Sequence, residues 1–85
     1  MEITAEELER RNPADCLILD IRGEQARQYG AIPGSVAARP DALCAQIDAG
    51  EKRKIVVYCT RGELSIPAAQ ELEAAGYAAC SLAGG

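Results

Sequence analysis

Apolar and polar residues fall in blocks along this chain, and the period of the blocks changes from one stretch to the next. Cys16-Leu-Ile-Leu-Asp20 and Lys54-Ile-Val-Val-Tyr58 are short apolar runs, the second rich in β-branched residues, and both read as buried strands. Ala79–Leu82 reads as a final strand and residues 36–38 as a weaker one. Between them the pattern is helical. Thr4-Ala-Glu-Glu7 is a capping box, which predicts a helix over residues 5–11 that stops before Pro13. Residues 24–29 predict a brief helix, followed by a turn at Ile32-Pro-Gly34. Pro40 opens a predicted helix over residues 41–48, with Gly50 just beyond it. In the last helix Ser65 is the expected N-cap and Gly76 the expected residue past the end. Its Ala68, Ala69, Leu72 and Ala75 share one face, small enough to let the helix lie close on a sheet, while Gln70, Glu71 and Glu73 point away. Ile66 falls off the apolar face and is placed at the rim of the preceding loop; Pro67 sits in the first turn, where its missing N–H costs little. Strands alternating with helices at this spacing predict an α/β fold with a largely parallel sheet.

Composition narrows the class. Eighty-five residues fit one small domain, residues 1–85, and 48% hydrophobic content suits a globular fold rather than a disordered chain. No apolar run approaches the roughly 18 residues that span a bilayer, and the first residues lack the basic and apolar regions of a secretory signal. A formal charge of −4 gives no electrostatic reason to expect nucleic acid. These features predict a soluble cytoplasmic domain with no membrane or nucleic-acid partner. Cysteines stand at 16, 44, 59 and 80, none of them spaced Cys-x-x-Cys, and there is no histidine, so the usual zinc ligand sets are missing and no metal or cofactor is expected. Cys16 and Cys80 lie in apolar stretches and Cys44 in a predicted helix, where free cysteine acts as a small hydrophobe.

Cys59 differs. It ends the strongest predicted strand, and a short glycine-containing loop and a helix follow it. In open α/β sheets ligands bind beyond the carboxyl ends of the strands. Backbone N–H groups of residues 60–65, together with the unpaired donors of the helix, are placed to surround an anionic sulfur. The helix dipole alone stabilises an anion by about 0.3–1 kcal/mol, less than one pKa unit, so direct N–H bonds or Arg61 must contribute to any thiolate. Without histidine a Cys–His mechanism is excluded, and the loop itself must activate the cysteine.

Several pieces taken together resemble the rhodanese (sulfurtransferase) domain family: Leu19-Asp-Ile-Arg22, Ile32-Pro-Gly-Ser35, Asp41-Ala-Leu43, Ile55-Val-Val-Tyr-Cys-Thr-Arg-Gly62 with Ser65, and Leu82-Ala-Gly-Gly85. Their order and spacing cover residues 3–85. The resemblance implies a rhodanese-like five-stranded, mostly parallel sheet with helices on both faces. It implies that Cys59 takes a sulfane sulfur as a persulfide and passes it to a thiol or cyanide. Thr60, Arg61, Gly62, Glu63, Leu64 and Ser65 would bind the substrate, with residues 60–64 as the cradle. Asp20 and Arg22 would be mainly structural supports near the rim. The implied partners are a small-molecule or protein persulfide donor and a thiol acceptor.

The chain also departs from the family. Many members carry arginine where Leu64 stands, histidine where Ala31 stands and an aromatic residue where Arg27 stands. Glu63 adds a negative charge to a loop meant to hold an anion, so thiosulfate is expected to be a poor donor. Members generally continue past the glycine pair into a further helix; either this chain is a fragment, or a neighbouring domain or partner covers that side. Three rivals remain beside the plain reading of Cys59 as a buried strand-end cysteine in an ordinary α/β domain. A rhodanese-like binding or regulatory module would keep the fold with weak or no catalysis. A phosphatase needs an arginine six residues after the cysteine, where Ser65 stands, and phosphoryl transfer lacks its oxyanion fork here. Terminal Leu-Ala-Gly-Gly also invites comparison with ubiquitin-like sulfur carriers, whose fold the rest of the sequence matches poorly.

Overall fold

A computed structural model describes residues 2–60 and 63–83. Five strands, β1 (Glu2–Ile3), β2 (Cys16–Asp20), β3 (Val36–Ala37), β4 (Lys54–Tyr58) and β5 (Ala79–Leu82), form one sheet in the order β1-β5-β4-β2-β3. Every pairing in it is parallel. Three α-helices join them, α1 (Ala5–Arg10), α2 (Glu24–Gln28) and α3 (Ser65–Ala74).

The β-branched centre of the sequence becomes the centre of the sheet. Ile55, Val56 and Val57 of β4 are each 0% exposed, because β2 and β5 flank the strand and both its faces are covered. On one face Leu19, Ile21, Ile55, Val57, Cys59 and Ala79 pack against Ala68, Ala69 and Leu72 of α3 and against Leu43 and Ile47. The opposite face is smaller: Ile3, Val56 and Cys80 pack with Leu8 of α1 and Leu82. Beside α1 on that face runs a 350 Å³ groove lined largely by apolar groups, Leu8, Cys16, Ile18, Ile32, Pro33 and Leu82 among them. With α2 reaching Asp20 on the same side, helices lie on both faces, as the sequence predicts.

Helix ends follow the expected chemistry in two of three places. The Thr4 hydroxyl accepts from Glu7 N, and the Glu7 carboxylate accepts from Thr4 N, which completes the capping box on α1. At the far end of α3, Gly76 takes φ 99°, Gly76 N donates to Glu73 O and Tyr77 N to Leu72 O. That is a Schellman motif, closed by contact of Tyr77 with the core that Leu72 helps form. Ala75, expected on the buried face, is the C-cap and is exposed. At the head of α3, Leu64 rather than Ser65 is the N-cap. It already has right-handed helical angles and its carbonyl accepts the first helical bond from Ala68 N, so Ser65 becomes the first helical residue.

One further expectation is corrected. The helix expected over residues 41–48 is only a 3₁₀ turn, Leu43–Gln46, because Ala42 stands at φ 53°. A non-glycine residue there cannot continue a right-handed helix. The Gln46 side chain holds the segment instead, donating to the carbonyls of Arg39, Asp41 and Ala42 and accepting from Arg39 N. Strand β1 has no counterpart in the residue pattern, because two residues at a sheet edge carry no readable period.

Candidate functional site

The site builds outward from Cys59, the first residue past β4. Cys59 packs in the α3-side core, is 5% exposed, and lines a 270 Å³ cavity together with Arg22, Thr60, Glu63 and Leu64. The residue is buried, yet it forms part of the wall of a small open cavity at the carboxyl end of the sheet.

The predicted loop residues divide into three groups. Thr60, Glu63 and Leu64 line the cavity with Cys59; Thr60 and Glu63 are exposed and Leu64 is 51% exposed. Ser65 is 0% exposed, and its Oγ has no hydrogen-bond partner among the described residues. An unpaired buried hydroxyl costs roughly 1–3 kcal/mol, so its retention directly behind the loop calls for a use. Arg61 and Gly62, also predicted to bind substrate, lie outside the described residues. Ile66, expected at the rim, is exposed but does not line the cavity. The head of α3 leaves the N–H groups of Ser65 and Ile66 without acceptors inside the helix, while Pro67 has none to leave.

Asp20 and Arg22, expected only as supports near the rim, bond to each other inside a larger network. Asp20 ends β2 with its side chain 0% exposed. Its Oδ1 accepts from Arg22 N at 2.9 Å and Arg22 Nε at 3.0 Å. Its Oδ2 accepts from Arg22 Nη2 at 2.9 Å, Arg27 Nη1 at 3.0 Å and the Tyr58 hydroxyl at 2.7 Å. Burial alone would raise this carboxyl; the Arg22 side chain and backbone, joined by Tyr58, outweigh it and hold Asp20 at about 2. The hydrogen bond to Asp20 in turn raises Arg22. Arg22 Nη2 also donates to Gly30 O, and its guanidinium carbon stands 5.1 Å from the Tyr58 ring centroid, a cation–π contact. Tyr58 OH accepts from Ile32 N at 3.1 Å, which ties the turn before β3 to the same cluster. The Ile32–Ser35 turn has Pro33 and Gly34 at its centre, with Gly34 at φ 83° and Ser35 N donating back to Ile32 O. That is the arrangement in which a type II turn demands glycine.

Sequence reasoning missed three members of this network, Arg27, Ser35 and Tyr58, as functional or supporting residues. The signal that would have found Tyr58 is register: Tyr58 of β4 pairs directly with Asp20 of β2.

The comparisons with known proteins concern the family and the fold. The rhodanese-like domain family matches residues 4–85, and the chain belongs to that family. A tRNA sulfurtransferase from Desulfurococcus amylolyticus is 32% identical over 73 residues, which are 86% of this chain and 14% of that protein. The chain thus spans about one seventh of the length of this curated relative. A rhodanese-related protein from Thermoplasma volcanium has the same fold, with a TM-score of 0.85 at 23% identity, over 99% of this chain and 84% of the other. A rhodanese homolog from Thermus thermophilus is 30% identical with a TM-score of 0.77, over 100% of this chain and 95% of the other. Among the described residues no helix is long and apolar enough to cross a membrane.

Proposed function

We propose that this domain is a sulfurtransferase that carries a sulfane sulfur on Cys59. The observation that supports it most is the position of Cys59: past the end of the central strand, in the wall of an open cavity, beside the N-cap of α3. Membership of the rhodanese-like family and the likeness to a tRNA sulfurtransferase point the same way.

In the loading step the Cys59 thiolate attacks the outer sulfur of a donor R–S–SH. A sulfur–sulfur bond forms on Cys59, the donor's sulfur–sulfur bond breaks, and R–S⁻ leaves with the electron pair. In the second step an acceptor thiolate attacks the outer sulfur of the Cys59 persulfide, becomes the new persulfide and restores the Cys59 thiolate. Cyanide in the same role leaves as thiocyanate. No step requires a general base such as histidine, because thiolates are both nucleophiles and leaving groups. Loop amides, the head of α3 and Ser65 would hold the anionic sulfur, and Thr60, Arg61, Gly62, Glu63 and Leu64 would form the rest of the substrate cavity.

Glu63 and Leu64 bear on the donor. A carboxylate and an isobutyl group in the cavity wall suit a persulfide of one negative charge better than dianionic thiosulfate. The larger size of the relative and the groove beside α1 support a neighbouring domain on that face, with the domain working inside a longer protein.

Steady-state kinetics with a small persulfide donor and cyanide test the reading. Double-displacement behaviour is expected, with parallel lines when the velocity is varied in both substrates. Absence of thiocyanate formation above that of the Cys59→Ser variant would instead point to a rhodanese-like binding module with weak or no catalysis.

A further inference from the structure

The Asp20 cluster contains more charge than it needs. Two guanidinium groups, Arg22 and Arg27, share one carboxylate, and the other partners of that carboxylate, Tyr58 OH and a backbone N–H, are neutral. The sum is one surplus positive charge. One arginine would suffice to neutralise Asp20 and fasten the end of β2; the second leaves a partly buried cation that costs desolvation unless an anion lies nearby.

The surplus faces a particular place. Asp20 is 0% exposed at its side chain, while Arg22 retains 19% and lines the Cys59 cavity. Arg22 Nε and Nη2 are used on Asp20 and Gly30, whereas Nη1 carries no hydrogen bond to any described residue. The bidentate bond to Asp20 and the Tyr58 ring fix the guanidinium plane, so the remaining donor is held rather than mobile. Arg27 does not line this cavity; it touches Asp20 and Ser35 from α2.

We infer that Arg22 supplies the positive charge that holds a sulfur anion beside Cys59, and that Arg27 makes this charge available by sharing Asp20. Arg22 is then a specificity-determining residue and Arg27 a positioning residue that acts through the shared carboxylate. The surplus sits on a guanidinium held in place at the cavity wall, so it acts locally on one negative charge at sulfur, whether thiolate or persulfide. Glu63, exposed on the same cavity, offsets part of it through solvent and disfavours a dianion. The inference rests on Cys59 being the sulfur-carrying residue, yet the charge can be measured without any sulfur transfer.

The test is the rate of Cys59 alkylation by iodoacetate, an anion, relative to iodoacetamide, its neutral counterpart, read on the Cys59 peptide by mass. In the unmodified protein the iodoacetate rate falls as salt is raised and the iodoacetamide rate does not. Arg27→Gln keeps a polar side chain at that position and removes the surplus, so the iodoacetate-to-iodoacetamide ratio drops about three- to tenfold. Asp20→Asn changes the ratio in the opposite direction, because the surplus rises from one charge to two. A merely structural cluster would give no such reversal of sign. Should Arg27→Gln not fold, Arg27→Tyr removes the same charge.

A ratio unchanged by loss of the Arg27 charge overturns the inference, even if salt sensitivity persists, because the charge would then come from elsewhere. So does an iodoacetate rate in the unmodified protein that ignores salt, or a Cys59 that neither reagent modifies. Charge-selective alkylation of a Cys59 that never accepts sulfur would refute the sulfurtransferase reading and leave the charge assignment standing.

Discussion

Asp20 and Tyr58 are direct partners across β2 and β4, and the Tyr58 hydroxyl donates to Asp20 Oδ2 at 2.7 Å. The bond spans 38 residues of sequence and joins the two strands whose ends carry the site. The same hydroxyl accepts from Ile32 N, so one atom ties β2, β4 and the turn before β3 together. Tyr58→Phe removes both bonds, together with a longer one to Ser35 Oγ, and leaves Asp20, Ile32 and Ser35 each short of a partner. The expected loss is about 1–2 kcal/mol, seen as a lower denaturant midpoint with unchanged slope. Cys59 should still accept sulfur, since the aromatic ring under Arg22 remains.

Acid should dismantle the cluster in a defined window. Asp20 titrates at about 2 in the folded protein against 3.8 ordinarily, so between those values the unfolded chain binds more protons. The stability that Asp20 contributes, roughly 2 kcal/mol, is complete above about pH 4 and is lost as the pH falls towards 2. Denaturation measured from pH 6 to pH 2 should show this loss. Asp20→Asn should be less stable at neutral pH by about 3 kcal/mol and should lose less on acidification. Glu51, held at about 2 chiefly by its hydrogen bond with Arg53, titrates in the same window in both proteins and does not affect the comparison.

Leu72 is wholly buried and belongs to the cluster that also holds Cys59. Leu72→Ala should cost about 2–5 kcal/mol by thermal or chemical denaturation. In so small a domain that is a large share of the total. Leu72 lies in the second half of α3, away from the cavity, so any activity that survives should be that of the folded fraction.

Much of this fold is written in local pattern. The limits of β2, β4 and β5 coincide with the apolar runs that predict them, because parallel central strands must be apolar on both faces. Thr4, Glu7 and Gly76 mark helix ends because their chemistry is local. The misses are all non-local or too short to have a period. The backbone at Ala42 turns left-handed while the Gln46 side chain satisfies three carbonyls at once, which no propensity reveals. Ser65 loses the cap position to Leu64 because the backbone becomes helical one residue early. At the site, Cys59 was legible from the strand, loop and helix around it. The link of Asp20 to Arg27 and Tyr58 was not, since it depends on strand register and on α2 folding back over β2.

The composition of the cavity wall predicts donor preference. Glu63→Arg and Leu64→Arg each add positive charge beside Cys59. Each should raise kcat/KM for thiosulfate, by about three- to tenfold given how exposed both side chains are, with less effect on an uncharged donor. Equal rates for the variants and the parent protein with thiosulfate would show that charge at these positions does not select the donor.

The account depends most on Cys59 holding a sulfur atom, and mass spectrometry reads that directly. After incubation with a persulfide donor and removal of excess reagent, the intact protein should gain the mass of one sulfur atom. Peptide mapping should place it on Cys59, and cyanide should remove it; Cys59→Ser should gain nothing. Sulfur found instead on Cys44, or an unmodified Cys59 in a folded protein given ample donor, would contradict the account.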